Sequence, residues 1–428
     1  MADIAPLNAL RYATPEHLSQ VTSPPYDDID EPLLEELRDR SPFNMVRIDL
    51  PQDVGDTKYR RAATRLEDWI TQGVLRFDDG PMILRYEQSF SVPGVAGPVN
   101  RRGFLALVRA EPYGTGAVLP HERTFAMPRE DRRRLLHATR ASLSPVFLLY
   151  RDPSGVVGGV LGADRNDEGS EGATRFETED GVVHQLEPLT DSAQIRALTE
   201  ALRETSLLIA DGHHRYEAAV ACSGDLEREW TEAGKAPNPR GGHRYALAYF
   251  VDEADPGLLV FPTHRHVAGF RRLDREAFLA QLGQHFRCER REGAVTPPTD
   301  PRTITLVFSD GVAHDLHIPA TIEGFPDLDA QGPLLRELPV TILHEVILRG
   351  ILGVLDASRI SFFADVGDAA GPEGPGLSFL LPPVAVSTVR RIAEAGQFMP
   401  QKSTYFYPKV PAGLAIHRLD PAVPAPGF

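Results

Sequence analysis

The stretch SLLIADGHHRYEAAV, residues 206–220, constrains the fold of this chain more than any other segment. An apolar run ends at Ala210, the turn Asp211-Gly212 follows, and a helical apolar pattern begins near His213. A helix start presents unpaired backbone N–H groups and the positive end of the helix dipole. The pattern therefore predicts a strand, a sharp turn and a helix whose first residues suit an anionic ligand.

This turn is a candidate phosphate site. Gly212 allows the backbone to approach a ligand closely, and Arg215 is placed to add a bidentate contact to a phosphate. Asp211, His213 and His214 would then lie beside that phosphate. A structural alternative stays open, in which Asp211 caps the helix and the two histidines stack on neighbouring side chains.

A second candidate is MPQKSTYFYPKVPAGL, residues 399–414. Its prolines and alternating aromatic residues predict a rigid extended segment. Lys402 and Lys409 project from it, although only four of the 45 basic residues in the chain are lysines. A lysine ammonium is a compact point charge that a guanidinium does not replace, so a phosphate or carboxylate contact is one interpretation. The other is an ordinary edge strand with solvated lysines.

Two further motifs supply acid–base candidates. In LPHERTF, residues 119–125, His121 and Glu122 follow a Gly-rich loop and suit proton transfer, and His121 also suits a phosphate contact. The arginines that follow at 132–134 are more typical of a solvated helix face. In SPPYDDI, residues 23–29, two prolines stiffen the approach to Asp27, whose carboxylate is a candidate for catalysis or ligand positioning. The alternative is that this motif forms only a turn.

The motif THRH raises a metal-site hypothesis. His264 and His266 would point to the same face of a strand, a spacing suited to metal ligation. Together with Asp211, His213 and His214 they would complete a site. A half-buried strand with surface histidines is the more typical interpretation of so short a motif.

The composition argues against several classes of protein. The chain has 45 Lys+Arg against 60 Asp+Glu, hence a net charge of −15, which argues against a general nucleic-acid binder. Two cysteines, Cys222 and Cys288, are too few for a structural zinc cluster or a disulfide framework. The N-terminus lacks a signal-peptide pattern, and no apolar run reaches the ~18 residues that span a bilayer. We therefore expect a soluble cytoplasmic protein with a small-molecule substrate and no nucleic-acid or membrane partner; the oligomeric state stays open.

Strands and helices are interleaved without strict alternation, so we predict the α+β class, with mixed sheets and flanking helices. The 428 residues suggest about two to three domains. We expect an N-terminal region 1–150 with the SPPYDDI and HERT motifs, a central region 151–270 with DGHHR, and a C-terminal region 271–428 with PQKSTYFYPK. Within the first region, FNMVRIDL (43–50) is expected to be a strand and 81–112 a hairpin.

Five motifs, in the order SPPYDDI, HERT, ADGHHRYEAA, LHEVILRGILG and MPQKSTYFYPK, resemble the bacterial and archaeal family called domain of unknown function 1015. The resemblance covers nearly the full length, but the family name implies no activity. In the first motif the family more often has an apolar residue where this chain has Asp28. The loop is therefore expected to be more exposed here.

The string ADGHHRYEAA also resembles the Gly-x-x-Arg box of the ParB and sulfiredoxin-like superfamily. That resemblance implies a ParB-like core with N- and C-terminal extensions, in which Gly212 and Arg215 bind nucleotide phosphate beside His213 and His214. Sulfiredoxin chemistry needs a cysteine in the box, where this chain has Gly212. Partition proteins add a basic helix-turn-helix domain, which the acidic composition argues against. A phosphotransferase similar to the superfamily's ADP-dependent free-serine kinases remains.

The leading interpretation is thus a cytosolic nucleotide-dependent phosphotransferase, similar to a serine kinase, that uses ATP or ADP with Mg²⁺. The chain has no Walker-type sequence, so its nucleotide site would be of another class. The resemblance leaves the catalytic acid unassigned, with Glu122 and Asp27 as candidates. The expected phosphate or nucleotide ligands are Gly212, Arg215, Lys402, Lys409 and His121, and the expected catalytic residues are Asp211, His213, His214, Glu122 and Asp27.

Two alternatives remain open. One is a metal-dependent phosphatase or hydrolase that uses the Asp/His cluster, whereas the leading interpretation assigns no side chain to a resident metal. The other is a protein that binds a nucleotide without turning it over.

Overall fold

The computed structural model describes residues 1–93, 95–162, 172–270, 272–364 and 375–427. The chain divides into two compact units. The first contains residues 1–120, 124–258 and 408–428, and the second contains residues 121–123 and 259–407. Residues 408–428 therefore return to the first unit, and the division into regions 1–150, 151–270 and 271–428 stays a prediction.

A mixed sheet of nine described strands organises the first unit. In spatial order its strands are β6 (Val118–Leu119), β11 (Leu207–Asp211), β8 (Val146–Tyr150), β12 (Tyr245–Asp252), β5 (Val99–Arg109), β4 (Ile83–Phe90), β10 (Val183–Leu189) and β9 (Thr174–Glu177), with β1 (Ile4–Ala5) paired to β5. β11 is parallel to β6 and antiparallel to β8, and β8 is parallel to β12. β4 and β5 form the expected hairpin. Two short pairs are added, β2 (Leu10–Tyr12) with β3 (Leu75–Phe77) and β7 (Ala141–Ser142) with β21 (His417–Arg418).

Helices flank this sheet. They are α1 (Leu18–Val21), α2 (Glu31–Arg40), α3 (Val46–Asp49), α4 (Thr57–Thr71), α5 (Ala126–Thr139), α6 (Val156–Gly162), α7 (Ser192–Ala201) and α8 (His213–Glu232), with 3-10 turns at Pro15–His17, Tyr26–Asp28 and Gly242–Arg244. α5 and α8 are parallel, because Arg129 contacts Glu217 near their N-terminal ends and His137 contacts Glu229 near their C-terminal ends. Both helices therefore begin at the same end of the pair.

The second unit has an antiparallel sheet of its own. In spatial order its strands are β15 (Arg287–Arg290), β17 (Ala313–His317), β16 (Thr303–Phe308), β19 (Gly376–Leu380), β14 (His264–Ala268) and β18 (Ile360–Phe363). β13 (Leu259–Phe261) pairs separately with β20 (Tyr405–Tyr407). The helices are α9 (Arg275–Leu282), α10 (Pro326–Asp329), α11 (Pro333–Arg336), α12 (Pro339–Ile342) and α13 (Val386–Glu394), with a π-helix at Leu343–Ile351 and a 3-10 turn at Ala357–Arg359.

The α+β class, with mixed sheets and flanking helices, is confirmed. The strand expected at 43–50 is wrong, because this segment contains α3. The Asn44 side chain donates to the carbonyls of Gln20 and Thr22 and accepts a hydrogen bond from the Val46 N–H at 3.0 Å. A side chain anchored in this way favours a helix start over a strand. No helix in the described part of the chain is long and apolar enough to cross a membrane.

Candidate functional site

The end of β11 sets the direction of the Asp211 side chain. Ile209 pairs with Leu148 of β8, but the register then shifts, and Asp211 instead of Ala210 stands opposite Phe147. A bulge of this kind re-aims a side chain, and directly opposed residues of antiparallel strands project to the same face. Asp211 therefore lies on the Phe147 face of the sheet.

The Asp211 carboxylate forms ion pairs with two basic side chains. Its Oδ1 accepts a hydrogen bond from Lys409 Nζ, and its Oδ2 accepts one from Arg215 Nη2. The side chains of Asp211 and Lys409 are each 16% exposed, and that of Arg215 is 10% exposed. Charge-assisted hydrogen bonds are strong, and low exposure to water strengthens them further. The structure thus brings together three residues from two motifs that the sequence singles out.

Gly212 shapes the turn between β11 and α8. It is the N-cap of α8 and adopts the left-handed conformation, with φ 92°. A Cβ at this position would lie 3.0 Å from Cζ and Nε of Arg215, so glycine lets the guanidinium fold back over the turn. Arg215 Nη1 also donates to Ser144 Oγ at 2.8 Å and to the Pro145 carbonyl. Arg215 therefore anchors the turn to the segment before β8 as well as to Asp211.

The SPPYDDI loop is tied to the segment that carries Lys409. Ser23 and Ala412 form an antiparallel bridge, in which each backbone N–H donates to the other residue's carbonyl. The loop then turns through Tyr26–Asp28, where both acidic residues are exposed. The exposure expected for Asp28 is therefore observed.

The ammonium of Lys409 is held in its charged form. Burial alone would lower the pKa of Lys409, but the carboxylates of Asp211 and of the loop residues Asp28 and Asp27 raise it well above its ordinary value. Lys409 is therefore cationic at neutral pH. A permanent cation and two exposed carboxylates thus lie within electrostatic reach of one another in the first unit.

A small cavity of about 30 Å³ adjoins Arg215. Its lining includes Tyr26, Asp49 and Arg132. Arg132 Nη1 donates to Asp49 Oδ1 at 2.8 Å, and the Arg132 Cζ lies 4.2 Å from the centroid of the Tyr26 ring. Burial raises the pKa of Asp49, against the opposing effect of Arg132 and Arg215. Sequence reasoning missed Asp49, and the solvated position expected for Arg132 is wrong, because Arg132 is buried.

The two histidines of the DGHHR motif have different surroundings. His214 Nε2 accepts a hydrogen bond from the Phe125 N–H at 2.8 Å, and the two rings stack with centroids 6.2 Å apart. This contact joins the first turns of α5 and α8 and is the stacking that the structural alternative describes. His213 is buried in the first turn of α8, directly after Gly212.

Three of the expected site residues lie in the second unit. The Glu122 carboxylate accepts hydrogen bonds from the backbone N–H of Ser403 at 3.0 Å and of Lys402 at 3.2 Å. His121 is buried, with Nε2 at 3.0 Å from Thr404 Oγ1. The first unit holds Asp27, Asp211, Gly212, His213, His214, Arg215 and Lys409, and the second holds His121, Glu122 and Lys402.

The histidines of THRH are buried, so the expectation of surface histidines is wrong. His264 and His266 lie on β14, and His266 Nδ1 is 2.9 Å from Ser378 Oγ. They belong to the second unit, whereas the other three residues of the metal-site hypothesis belong to the first. Within the described ranges, no group of three or more His, Cys, Asp or Glu side chains is arranged to hold a metal ion.

Two residues that sequence reasoning missed hold the backbone around Lys409. Arg101 of β5 donates to the Pro408 carbonyl, and Gln88 Nε2 of β4 donates to the Lys409 carbonyl at 2.9 Å. In the sequence they are ordinary polar residues of a hairpin. No local pattern marks them, because their partners lie more than three hundred positions away.

Comparison with known proteins finds a matching family model, and the description of that family names no activity. The model of the family described as "Protein of unknown function (DUF1015)" matches residues 4–341. No curated protein matches the chain.

Several solved structures are similar to the chain at low identity. A mutant free serine kinase in complex with ADP is 13% identical over 78% of this chain and 98% of that chain, with a TM-score of 0.37. A conserved hypothetical protein from Pyrococcus furiosus is 14% identical over 70% and 92%, with a TM-score of 0.35. SbnI with a C-terminal truncation, from Staphylococcus aureus, is 10% identical over 73% and 87%, with a TM-score of 0.36. Likenesses this weak carry no argument about the chemistry of this chain.

Proposed function

The chain belongs to the DUF1015 family, and from the geometry of its first unit we propose that it is a nucleotide-dependent phosphotransferase acting on a small hydroxylated metabolite. The observation that carries the proposal is the contact of Lys409 and Arg215 with Asp211 at the start of α8. This arrangement places fixed positive charge beside a helix N-terminus and within electrostatic reach of exposed carboxylates.

The anion-binding part consists of Lys409 and the first turn of α8. Backbone N–H groups at a helix start point toward an anion, and the helix dipole favours negative charge there. α5 begins at the same end as α8, so the positive ends of two dipoles add. Lys409 supplies a full charge that persists at neutral pH. We assign the nucleotide's phosphates, from ATP or ADP, to this part of the unit.

The proton acceptor is assigned to Asp27. Asp211 accepts hydrogen bonds from two cations, and taking up a proton would weaken both contacts. Asp27 is instead exposed on a loop that its two prolines and the Ser23–Ala412 bridge hold in place. A carboxylate on a fixed loop is suited to general-base catalysis. We assign to Asp211 the role of holding the Lys409 ammonium in position.

The reaction step then follows. The hydroxyl oxygen of the acceptor attacks the terminal phosphorus of the nucleotide and forms a new O–P bond. The bond between that phosphorus and the bridging oxygen breaks, and the nucleotide leaves one phosphate shorter. The hydroxyl proton passes to the Asp27 carboxylate. Catalysis of such a step depends mainly on positioning and on neutralising charge.

The residues present fit a Mg²⁺ ion that arrives with the nucleotide. Mg²⁺ prefers oxygen ligands and is commonly bound by one or two carboxylates together with substrate phosphates. Asp28, exposed beside Asp27, offers such a carboxylate. When bound, Mg²⁺ would neutralise part of the phosphate charge.

The test combines binding and turnover in the full chain. We expect ATP or ADP with Mg²⁺ to raise the melting temperature, and phosphoryl transfer to appear in a panel of small hydroxylated acceptors that includes L-serine. Asp27→Asn should lower turnover roughly 10²–10⁴-fold while nucleotide affinity is kept. Asp79→Asn, at another exposed position of the first unit, is the matched control.

Two results would overturn the proposal. If no nucleotide raises the melting temperature, the anion site does not bind one. If a nucleotide binds but no acceptor in the panel is phosphorylated, the non-catalytic alternative replaces the phosphotransferase.

A further inference from the structure

Gln88 and Arg101 lie on the face of the sheet that carries Asp211. They are directly opposed in the antiparallel pair of β4 and β5, so their side chains project to the same face. The guanidinium of Arg101 lies 4.7 Å from the centroid of the Phe147 ring. Phe147 stands opposite Asp211 across the bulge. The row from Gln88 to Asp211 therefore crosses one face of the sheet.

These two side chains hold the backbone on which Lys409 is mounted. Arg101 Nη2 donates to Gln88 Oε1 and to the Pro408 carbonyl, and Gln88 Nε2 donates to the Lys409 carbonyl at 2.9 Å. Two consecutive carbonyls are thus fixed by donors from the sheet. A backbone held at both peptide groups limits where the side chain between them can reach.

Burying an arginine at this position is unfavourable in free energy. Arg101 is fully buried, and removing a guanidinium from water is strongly unfavourable unless its contacts offset the lost hydration. An apolar side chain of similar volume would fill the space without that penalty. Arg101 Nη2, which carries two N–H groups, reaches an amide oxygen and a backbone carbonyl at once, and an apolar side chain has no such donors.

We propose that Arg101, backed by Gln88, is a positioning residue that fixes the Pro408–Lys409 backbone and so keeps the Lys409 ammonium against Asp211. This proposal rests on the proposed function only where it links that ammonium to phosphate binding. The placement of Lys409 itself is open to direct measurement.

The first measurement is the rate at which acetic anhydride acetylates Lys409, followed by mass spectrometry with Lys235 as the internal reference. An ion-paired, poorly exposed amine reacts slowly. Arg101→Met should raise the Lys409 rate several-fold and leave the Lys235 rate unchanged, and Arg101→Lys should restore part of the protection. Arg85→Met is the matched control, because Arg85 is a buried arginine of β4 that binds Glu187 and the Val160 carbonyl.

A second variant keeps the proposal testable if Arg101→Met does not fold. Gln88→Glu preserves the acceptor for Arg101 and the side-chain volume, and it removes the donor to the Lys409 carbonyl. It should also raise the Lys409 rate. Unchanged Lys409 rates in folded Arg101→Met or in folded Gln88→Glu would overturn the positioning role, as would an equal rise in Arg85→Met.

Nucleotide affinity separates this proposal from the function on which it rests. If Arg101→Met and Lys409→Met both weaken ATP or ADP binding, the link to phosphate binding is supported. If neither variant changes the affinity for nucleotide while the Lys409 acetylation rate rises in Arg101→Met, the positioning role of Arg101 is supported and the phosphate-binding role of Lys409 is refuted.

Discussion

The carboxylate of Asp211 contacts the ammonium of Lys409, a residue 198 positions later in the chain. Arg215 contacts the same carboxylate from the next turn of the chain. One acidic group thus joins a strand end, a helix start and a returning segment. Removing one of these three side chains leaves the remaining charged groups with a hydrogen bond unmade at a site that water reaches poorly. Single substitutions here should therefore change the free energy of unfolding.

Lys409→Met should lower the free energy of unfolding by about 1–3 kcal/mol, because Asp211 loses a charged donor at a poorly exposed site. Urea denaturation followed by circular dichroism measures the change. Lys235→Met is the control, since Lys235 is exposed and lies over the Trp230 ring, a contact worth about 0.5–1 kcal/mol at an exposed site. Equal losses for the two variants would show that the Asp211 contact adds nothing.

Gly212→Ala should destabilise the protein by at least about 1 kcal/mol, because the left-handed backbone is strained for alanine and the new Cβ would press on Arg215. Gly224→Ala is the matched control within α8, where a Cβ meets nothing within 4 Å. That change should stabilise the helix by up to about 1 kcal/mol. Opposite signs for the two variants in thermal unfolding are the expected result. A stabilising Gly212→Ala would contradict the role of this turn.

Stability should fall as the pH decreases from about 6.5 to about 4. Burial lowers the pKa of His184 to about 3 and that of His417 to about 4. The unfolded chain therefore takes up protons below pH 6.5 while the folded chain does not, and unfolding is favoured. Above pH 6.5 these histidines are neutral in both states and contribute no pH dependence.

Each of these histidines adds up to about 1.4 kcal/mol per pH unit to that loss. His417→Gln, which keeps a donor for the Gly242 carbonyl, should make the dependence shallower in urea titrations at pH 7.5, 6, 5 and 4.5. A His417→Gln protein with the same slope as the unsubstituted chain would rule out this origin of the acid sensitivity.

Glu122→Gln should loosen the turn at Lys402 and Ser403 in the second unit. The glutamine offers one acceptor oxygen where the carboxylate offers two, and its amide group would face a backbone donor. We expect a loss of about 1–2 kcal/mol and faster amide hydrogen exchange of Ser403. Glu323→Gln, at an exposed position of the same unit, should change neither. Unaltered exchange at Ser403 would show that the carboxylate does not order this turn.

The secondary structure on either side of Gly212 could be predicted from the sequence. The apolar run before Asp211 forms β11, and α8 begins at His213 as the pattern indicates. Both features depend on residues that are neighbours in the chain. Residue propensities and turn chemistry are sufficient to predict an element when the contacts that determine it are local in the chain.

The remaining features depend on distant partners. The bulge at Asp211 arises from pairing with β8, and the helix at Val46–Asp49 follows contacts that Asn44 makes with a separate segment. Arg101 and Gln88 gain their role only when the segment at Lys409 lies on the hairpin. The assignment of Glu122 and Asp27 to different units likewise follows from the topology and not from either motif.

The pairing of β13 with β20 has a consequence for the folding of the first unit. It places Leu259 beside Tyr407 and so closes the second unit's long segment onto itself. In an unfolded chain the contact of Asp211 with Lys409 closes a loop of 198 positions. With Leu259 and Tyr407 joined, the remaining path is 48 positions from Asp211 to Leu259 and 2 from Tyr407 to Lys409, or 50 in total. The loop is thus shortened about fourfold, which lowers the entropic free-energy cost of closing it by about 1.2 kcal/mol. A second unit that folds early therefore speeds the arrival of Lys409 at its partner.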